Sequence, residues 1–229
     1  MLQWLLAQAR KAASDSGRKW DSKLESIITF WAHNPERFPK GNLEDLYHTR
    51  PADLSRFIVA YVDRYYRERE RTLGLSEVKT VPDPAVDAVL QAFARIPEKD
   101  AKGVVAAHRV SMSAENLIGS LLERYVAGYL ERQGWVWCCG NTIRAVDFLK
   151  ETPDGFRLLQ VKNRDNSENS SSSAIRTGTT IEKWYRISSL TNKTHWPAFP
   201  ENGKGEYLTE DGFQSFIRDY GGRTKKTPS

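Results

Sequence analysis

The chain has 229 residues, 28% of them charged and 39% hydrophobic, and a formal net charge of +5. That length can bury a core without disulfide or metal staples, and the composition is neither disordered nor fibrous. No apolar run approaches the roughly 18 residues of a membrane span. The opening residues Met1–Arg10 lack a basic stretch, and their apolar block is too short for a signal peptide, so a cytoplasmic protein is expected. The two cysteines, Cys138 and Cys139, are sequence neighbours, which speaks against a disulfide framework. No CxxC or HxxxH spacing exists for a Cys/His zinc site. Near the C-terminus, Arg218, Arg223, Lys225 and Lys226 stand against Asp219, a basic tail that either touches phosphate or stays solvated.

The first half reads as helical. Leu2, Leu5, Leu6 and Ala9 recur at helical spacing, as do Leu24, Ile27, Ile28 and Trp31. Pro51 fits the first turn of a helix, where its missing N–H costs nothing. From there Leu54, Phe57, Ile58, Tyr61, Val62 and Tyr65 form one apolar stripe, and Arg64–Arg71 reads as a solvated face ending near Gly74. Asp83-Pro84 opens another helix, with Val86, Val89, Leu90 and Phe93 expected inward. Ser113 can cap a long helix to about Arg132, stopped by Gly134.

Three short β-rich runs follow, Trp135–Cys139, Ile143–Lys150 and Phe156–Lys162, with turns at Asn141 and Pro153-Asp154-Gly155. Residues 163–180 are polar and lack a hydrophobic period. Ile181, Trp184, Tyr185 and Ser188 fit a helical spacing, as do Phe213, Phe216, Ile217 and Tyr220. The whole reads as α/β: a mainly helical region over 1–109, then a helix–strand–strand–strand unit within 110–229.

Chemistry converges on that unit. Asp147 lies in the second run, and the third ends Leu158-Leu-Gln-Val-Lys162. Antiparallel neighbours joined by a turn can bring Asp147 beside Gln160 and Lys162, which share a face because side chains alternate with period two. Asp and Gln oxygens suit Mg²⁺, a hard cation, and a nearby lysine can orient water or stabilise phosphorane charge. These residues point to metal-assisted phosphodiester hydrolysis.

The pattern Val146-Asp147…Gln160-Val-Lys162 resembles the PD-(D/E)xK nuclease superfamily, in a D…QxK form. Members of that superfamily often carry a helix ending in glycine, with an acidic residue about three turns earlier. Glu123, eleven residues before Gly134, matches it. The resemblance therefore implies a small mixed sheet flanked by helices, with Asp147, Gln160 and Glu123 as metal ligands and Lys162 as the catalytic lysine. Glu115, eight residues before Glu123, is the alternative acid or a DNA contact.

A longer string, including Ala114-Glu-Asn116, Leu122-Glu-Arg-Tyr125, Arg144-Ala-Val-Asp-Phe148, Asn166-Ser-Glu-Asn-Ser-Ser-Ser-Ser173 and Ile181-Glu-Lys-Trp-Tyr-Arg186, is similar to the SinI-like group of type II restriction endonucleases over about residues 105–190. That resemblance implies Mg²⁺-dependent cleavage of double-stranded DNA leaving 5′-phosphate ends, at a short site such as GGWCC. It also implies a homodimer on the palindrome and a companion DNA methyltransferase acting on the same site. In the polar stretch and beyond it, Asn163, Arg164, Asn166, Glu168, Asn169, Ser170, Arg176 and Arg186 have the side-chain types that read base edges or hold phosphates. The N-terminal region is expected to clamp DNA or to dimerise. The alternatives are a structure-directed nuclease of the same fold, or a sequence-specific DNA-binding protein whose catalysis has decayed at Gln160.

Overall fold

The computed structural model describes residues 1–75, 83–165, 180–202 and 207–224. Its architecture is α/β, as the sequence predicts. Contacts divide the chain into two compact units, Met1–Arg71 with Glu123–Gln214, and Thr72–Leu122 with Ser215–Ser229. The N-terminal helices thus share a unit with the sheet.

In the first unit, α1 (Leu2–Asp15) buries Leu5, Leu6, Ala9, Ala12 and Ala13. The Asp21 side chain caps α2 (Ser22–His33) by accepting from the Lys23 N–H, and α2 buries Leu24, Ile27, Ile28, Phe30 and Trp31. Asn42 caps α3 (Leu43–Thr49) in the same way, accepting from the Glu44 and Asp45 N–H groups. Pro51 occupies the first turn of α4 (Pro51–Glu70), which buries Leu54, Ile58, Tyr61, Val62, Tyr65 and Tyr66. The helix stops before Gly74, at an extended Arg71. There the Arg124 guanidinium donates to the carbonyls of Glu68, Arg69 and Arg71, which are among the acceptors a helix end leaves over.

The sheet is built from β1 (Val136–Trp137), β2 (Phe148–Thr152), β3 (Gly155–Arg164) and β4 (Ile181–Ile187), in that order. The first two pairings are antiparallel and β3–β4 is parallel. Pro153 and Asp154 form the turn between β2 and β3, ahead of Gly155 at φ 124°. Residues 181–187 form a strand where the spacing predicts a helix. The 181/184/188 spacing fits a helical face, but Ile, Trp, Tyr and Ile also favour a strand. Parallel pairing with β3 decides between them, and Trp184 packs against Trp196 and Phe199, each at 4.9 Å between ring centroids.

The second unit holds α5 (Pro84–Ala94), α6 (Glu98–Leu130) as far as Leu122, and the end of α7 (Glu210–Thr224) from Ser215. Asp83 caps α5, as expected. Its apolar residues do not face inward, however: Val86 and Val89 are exposed, and Phe93 is 85% exposed. A periodic stripe marks an amphipathic face without saying what covers it. α6 begins fifteen residues before Ser113, which lies inside the helix rather than capping it. No Pro or Gly separates Val104 from Ser113 to break the helix earlier. A single 3₁₀ turn, Glu131–Gln133, follows α6, and Gly134 at φ 81° ends it as predicted.

Candidate active site

Asp147 precedes β2 by one residue and is fixed by its main chain on both sides. Its N–H donates to Leu159 O (2.9 Å), and its carbonyl accepts from Cys138 N–H (2.8 Å). The β2–β3 ladder begins at Phe148, which pairs with Leu159, so Asp147 stands just outside it. Gln160 and Lys162 share one face of β3 because side chains alternate with period two, and the Lys162 charge acts on Asp147. Because the chain leaves the ladder before Asp147, the Val161 N–H has no main-chain acceptor there. Asp147 Oδ2 takes that proton at 2.7 Å. The sequence places Asp147 inside a longer strand; the structure puts it at the point where a loop enters the sheet, which is why its carboxylate is free to turn onto β3.

That loop, 139–146, is shaped by three left-handed residues, Gly140 (φ 74°), Asn141 (φ 54°) and Ala145 (φ 57°). A β-carbon on Gly140 would come within 2.7 Å of the Arg64 side chain. The N-terminal helices hold the loop. Trp31 Nε1–H donates to Thr142 O (2.8 Å), Arg64 to Gly140 O (3.3 Å), and Arg144 to Pro39 O (2.7 Å).

Glu123, in the last turns of α6, accepts the Trp137 indole N–H on Oε2 at 3.3 Å. Desolvation first, and then the negative charge of Asp147, raise its pKa to about 8; the Trp137 bond and Lys162 pull the other way. Asp147 is also raised, chiefly by desolvation, against the opposing Val161 hydrogen bond and Lys162 charge. The two carboxylates and Lys162 therefore sense one another across a single site.

Gln160 is 1% exposed, and its Oε1 has no hydrogen-bond partner among the described atoms. A buried acceptor left without a donor costs about 1–3 kcal/mol, and a hard cation is a partner that relieves this cost. Two carboxylic acids whose pKa values desolvation raises answer to the same kind of charge. The donor set thus fits an oxygen-preferring divalent cation. Among the described residues no three His, Cys, Asp or Glu side chains gather as a metal-binding group.

Of the other sequence candidates, Asn163 is at the end of β3, and its Oδ1 accepts from Arg186 Nε (2.9 Å). Arg164 closes the same strand. Arg186, expected to reach outward, is instead buried, and its guanidinium holds both carboxylate oxygens of Glu210 (2.7 and 2.8 Å). Its inward side chain follows from residues 181–187 being a strand and not a helix. Glu115 is exposed and belongs to the second unit. Asn166, Glu168, Asn169, Ser170 and Arg176 lie outside the described residues. The sequence reading missed two groups, the Trp137 indole and the Val161 N–H. An aromatic in a run opening on Trp135 reads as core, and a main-chain donor leaves no trace in a side-chain motif.

Comparison with known proteins now decides the family. The model of the SinI restriction endonuclease family matches residues 7–222. The chain belongs to the SinI restriction endonuclease family. The chain is similar to the type II restriction enzyme Eco47I of Escherichia coli, 38% identical over 201 residues, covering 87% of this chain and 86% of the relative. It is 42% identical over 164 residues to the type II restriction enzyme SinI of Salmonella infantis, covering 71% of each. The SinI-family match reaches well beyond 105–190 and takes in the N-terminal helices, including those that hold the loop before Asp147. Membership of this family makes the chain a site-specific endonuclease of the restriction class.

Proposed function

We propose that this chain is a Mg²⁺-dependent type II restriction endonuclease that cuts both strands of duplex DNA and leaves 5′-phosphate ends. The observation that carries the reading is the buried, donorless Oε1 of Gln160, which shares a face of β3 with Lys162 next to the Val161 N–H that Asp147 accepts. Asp147, Gln160 and Glu123 are the residues that would hold the cation, which would supply Lewis-acid stabilisation of the phosphoryl charge and a more acidic water. Lys162 orients that water and neutralises charge that develops on the phosphate oxygens. The Val161 N–H fixes the rotamer of Asp147, so one oxygen stays on the main chain and the other is left for the cation. Glu123, whose pKa is raised by desolvation and by Asp147, would hold a cation as the deprotonated carboxylate.

Asn163, Arg164 and the polar residues Asn166, Glu168, Asn169, Ser170 and Arg176 supply base and phosphate contacts in this reading. The recognition sequence is short and GC-containing, GGWCC by the family resemblance. A palindromic site calls for a homodimer, each subunit cutting one strand, and a methyltransferase that protects the same sequence in the cytoplasm of the host. The N-terminal helices brace the loop that delivers Asp147.

A neutral Gln160 where the superfamily pattern carries an acid favours one second reading, a sequence-specific DNA-binding protein without catalysis. Digestion of an unmethylated phage genome of known sequence, with Mg²⁺ and with EDTA, separates the two. Discrete fragments only with Mg²⁺ are expected, and their ends give the site and the stagger. An intact genome bound at specific sequences would establish the second reading instead.

A further inference from the structure

Trp137 has no place in the sequence motif, yet it touches the acid that completes the site. Its indole N–H donates to Glu123 Oε2 at 3.3 Å. In the β1–β2 register it pairs with Phe148, the residue that follows Asp147. The ring is gripped by two cations: the Arg69 guanidinium lies 5.5 Å from its centroid and that of Arg124 5.7 Å. Both cations are anchored. Arg69 binds Glu131 (2.6 and 3.3 Å) and the Trp137 carbonyl (3.3 Å), while Arg124 caps the end of α4. Both cation–π contacts favour this placement of the ring, from which its N–H reaches Glu123.

We propose that Trp137 is a positioning residue, whose indole N–H, held between Arg69 and Arg124, fixes Glu123 in the orientation that binds the divalent cation. The proposal rests on the reading of Glu123 as a ligand. Outer partners of a ligating carboxylate hold its rotamer, and their loss typically costs about 10–100-fold in metal affinity or activity. Phenylalanine at 137 keeps the ring between the two guanidinium groups and removes only the donor.

The test compares wild-type, Trp137→Phe and Glu123→Ala full-length proteins. Three quantities are read: the Mg²⁺ concentration for half-maximal cleavage, the calorimetric isotherm for Mn²⁺ alone, and duplex affinity in EDTA. For Trp137→Phe, half-saturating Mg²⁺ is expected to rise roughly tenfold or more, with Mn²⁺ binding weakened in parallel and duplex affinity in EDTA unchanged. A wild-type metal dependence in Trp137→Phe, with Glu123→Ala impaired, overturns the positioning role and leaves the ligand assignment intact. Wild-type Mn²⁺ binding by Glu123→Ala overturns the ligand assignment itself, and the proposal with it. A measurement on otherwise unaltered protein covers the case in which Trp137→Phe does not fold. Of the indole N–H resonances in the nitrogen-15 spectrum, the one displaced by Glu123→Ala should also shift as Mg²⁺ is added to wild type. If that resonance stays still at saturating Mg²⁺, the role is refuted.

Discussion

At the scale of single residues, the account turns on how protein surroundings change three oxygen-bearing side chains. Glu123, with an ordinary value of 4.5, is raised to about 8 by desolvation and by Asp147, and Asp147 is raised as well. The stability associated with protonated Glu123 is fully present below pH 4.5 and is lost as the pH rises towards 8, and Asp147 acts in the same direction. Metal-free protein should therefore lose thermal stability between pH 5 and 8, and Mg²⁺ should raise its Tm more at pH 8 than at pH 5. Thermal unfolding at both pH values, with and without the ion, checks this; an equal Mg²⁺ effect at both would contradict it. Gln160 gives a second expectation. Gln160→Glu should stay active with a lower Mg²⁺ requirement, because a charged oxygen replaces a neutral one, whereas Gln160→Leu should lose metal-supported cleavage. A Mg²⁺ titration of the cleavage rate decides, and an inactive Gln160→Glu would be the contrary result. That Gln160 and Lys162 share a strand face was legible in the sequence because period-two alternation is a rigid rule. The Val161 N–H and the Trp137 indole were not, because their roles come from where the chain leaves a ladder.

At the scale of elements, the instructive error is the strand Ile181–Ile187. Its spacing satisfied a helix, and the competing evidence, a free parallel edge on β3, exists only after folding. One misread element reversed the direction of Arg186, which turns inward onto Asn163 and Glu210 instead of outward to DNA. Removing one partner of a largely buried pair leaves the other charge uncompensated. Arg186→Ala should thus cost about 3 kcal/mol of unfolding free energy, measured by denaturant titration, without changing which sequence is cut. An altered cleavage site in a protein of unchanged stability would restore Arg186 to the DNA surface. The loop before Asp147 makes the complementary case. Trp31→Phe deletes one buried hydrogen bond to Thr142 and leaves that carbonyl unpaired, which costs about 1–3 kcal/mol. Because the same loop sets Asp147, cleavage should fall along with stability. Unimpaired cleavage in a destabilised Trp31→Phe protein would disconnect the brace from the site.

At the scale of the whole molecule, the helical first half and the strand-bearing second half were legible as separate stretches, but their association was not. The helix start at Asp83-Pro84 is a local signal and was realised in place, while the caps at Asp21 and Asn42 emerge from the structure. The grouping of 1–71 with 123–214 depends on long-range contacts such as Trp31 with Thr142 and Phe30 with Phe156, which no local pattern encodes. The family match over 7–222 agrees with a function distributed along nearly the whole chain. The central claim is that this molecule cuts duplex DNA with the site built around Asp147. The most direct test places wild-type and Asp147→Ala proteins side by side on a duplex bearing one mapped site, following cleavage with Mg²⁺ and mobility shift in EDTA. The variant should bind the site as wild type does and leave both strands whole. Cleavage by Asp147→Ala at a wild-type rate would place the chemistry elsewhere in the chain.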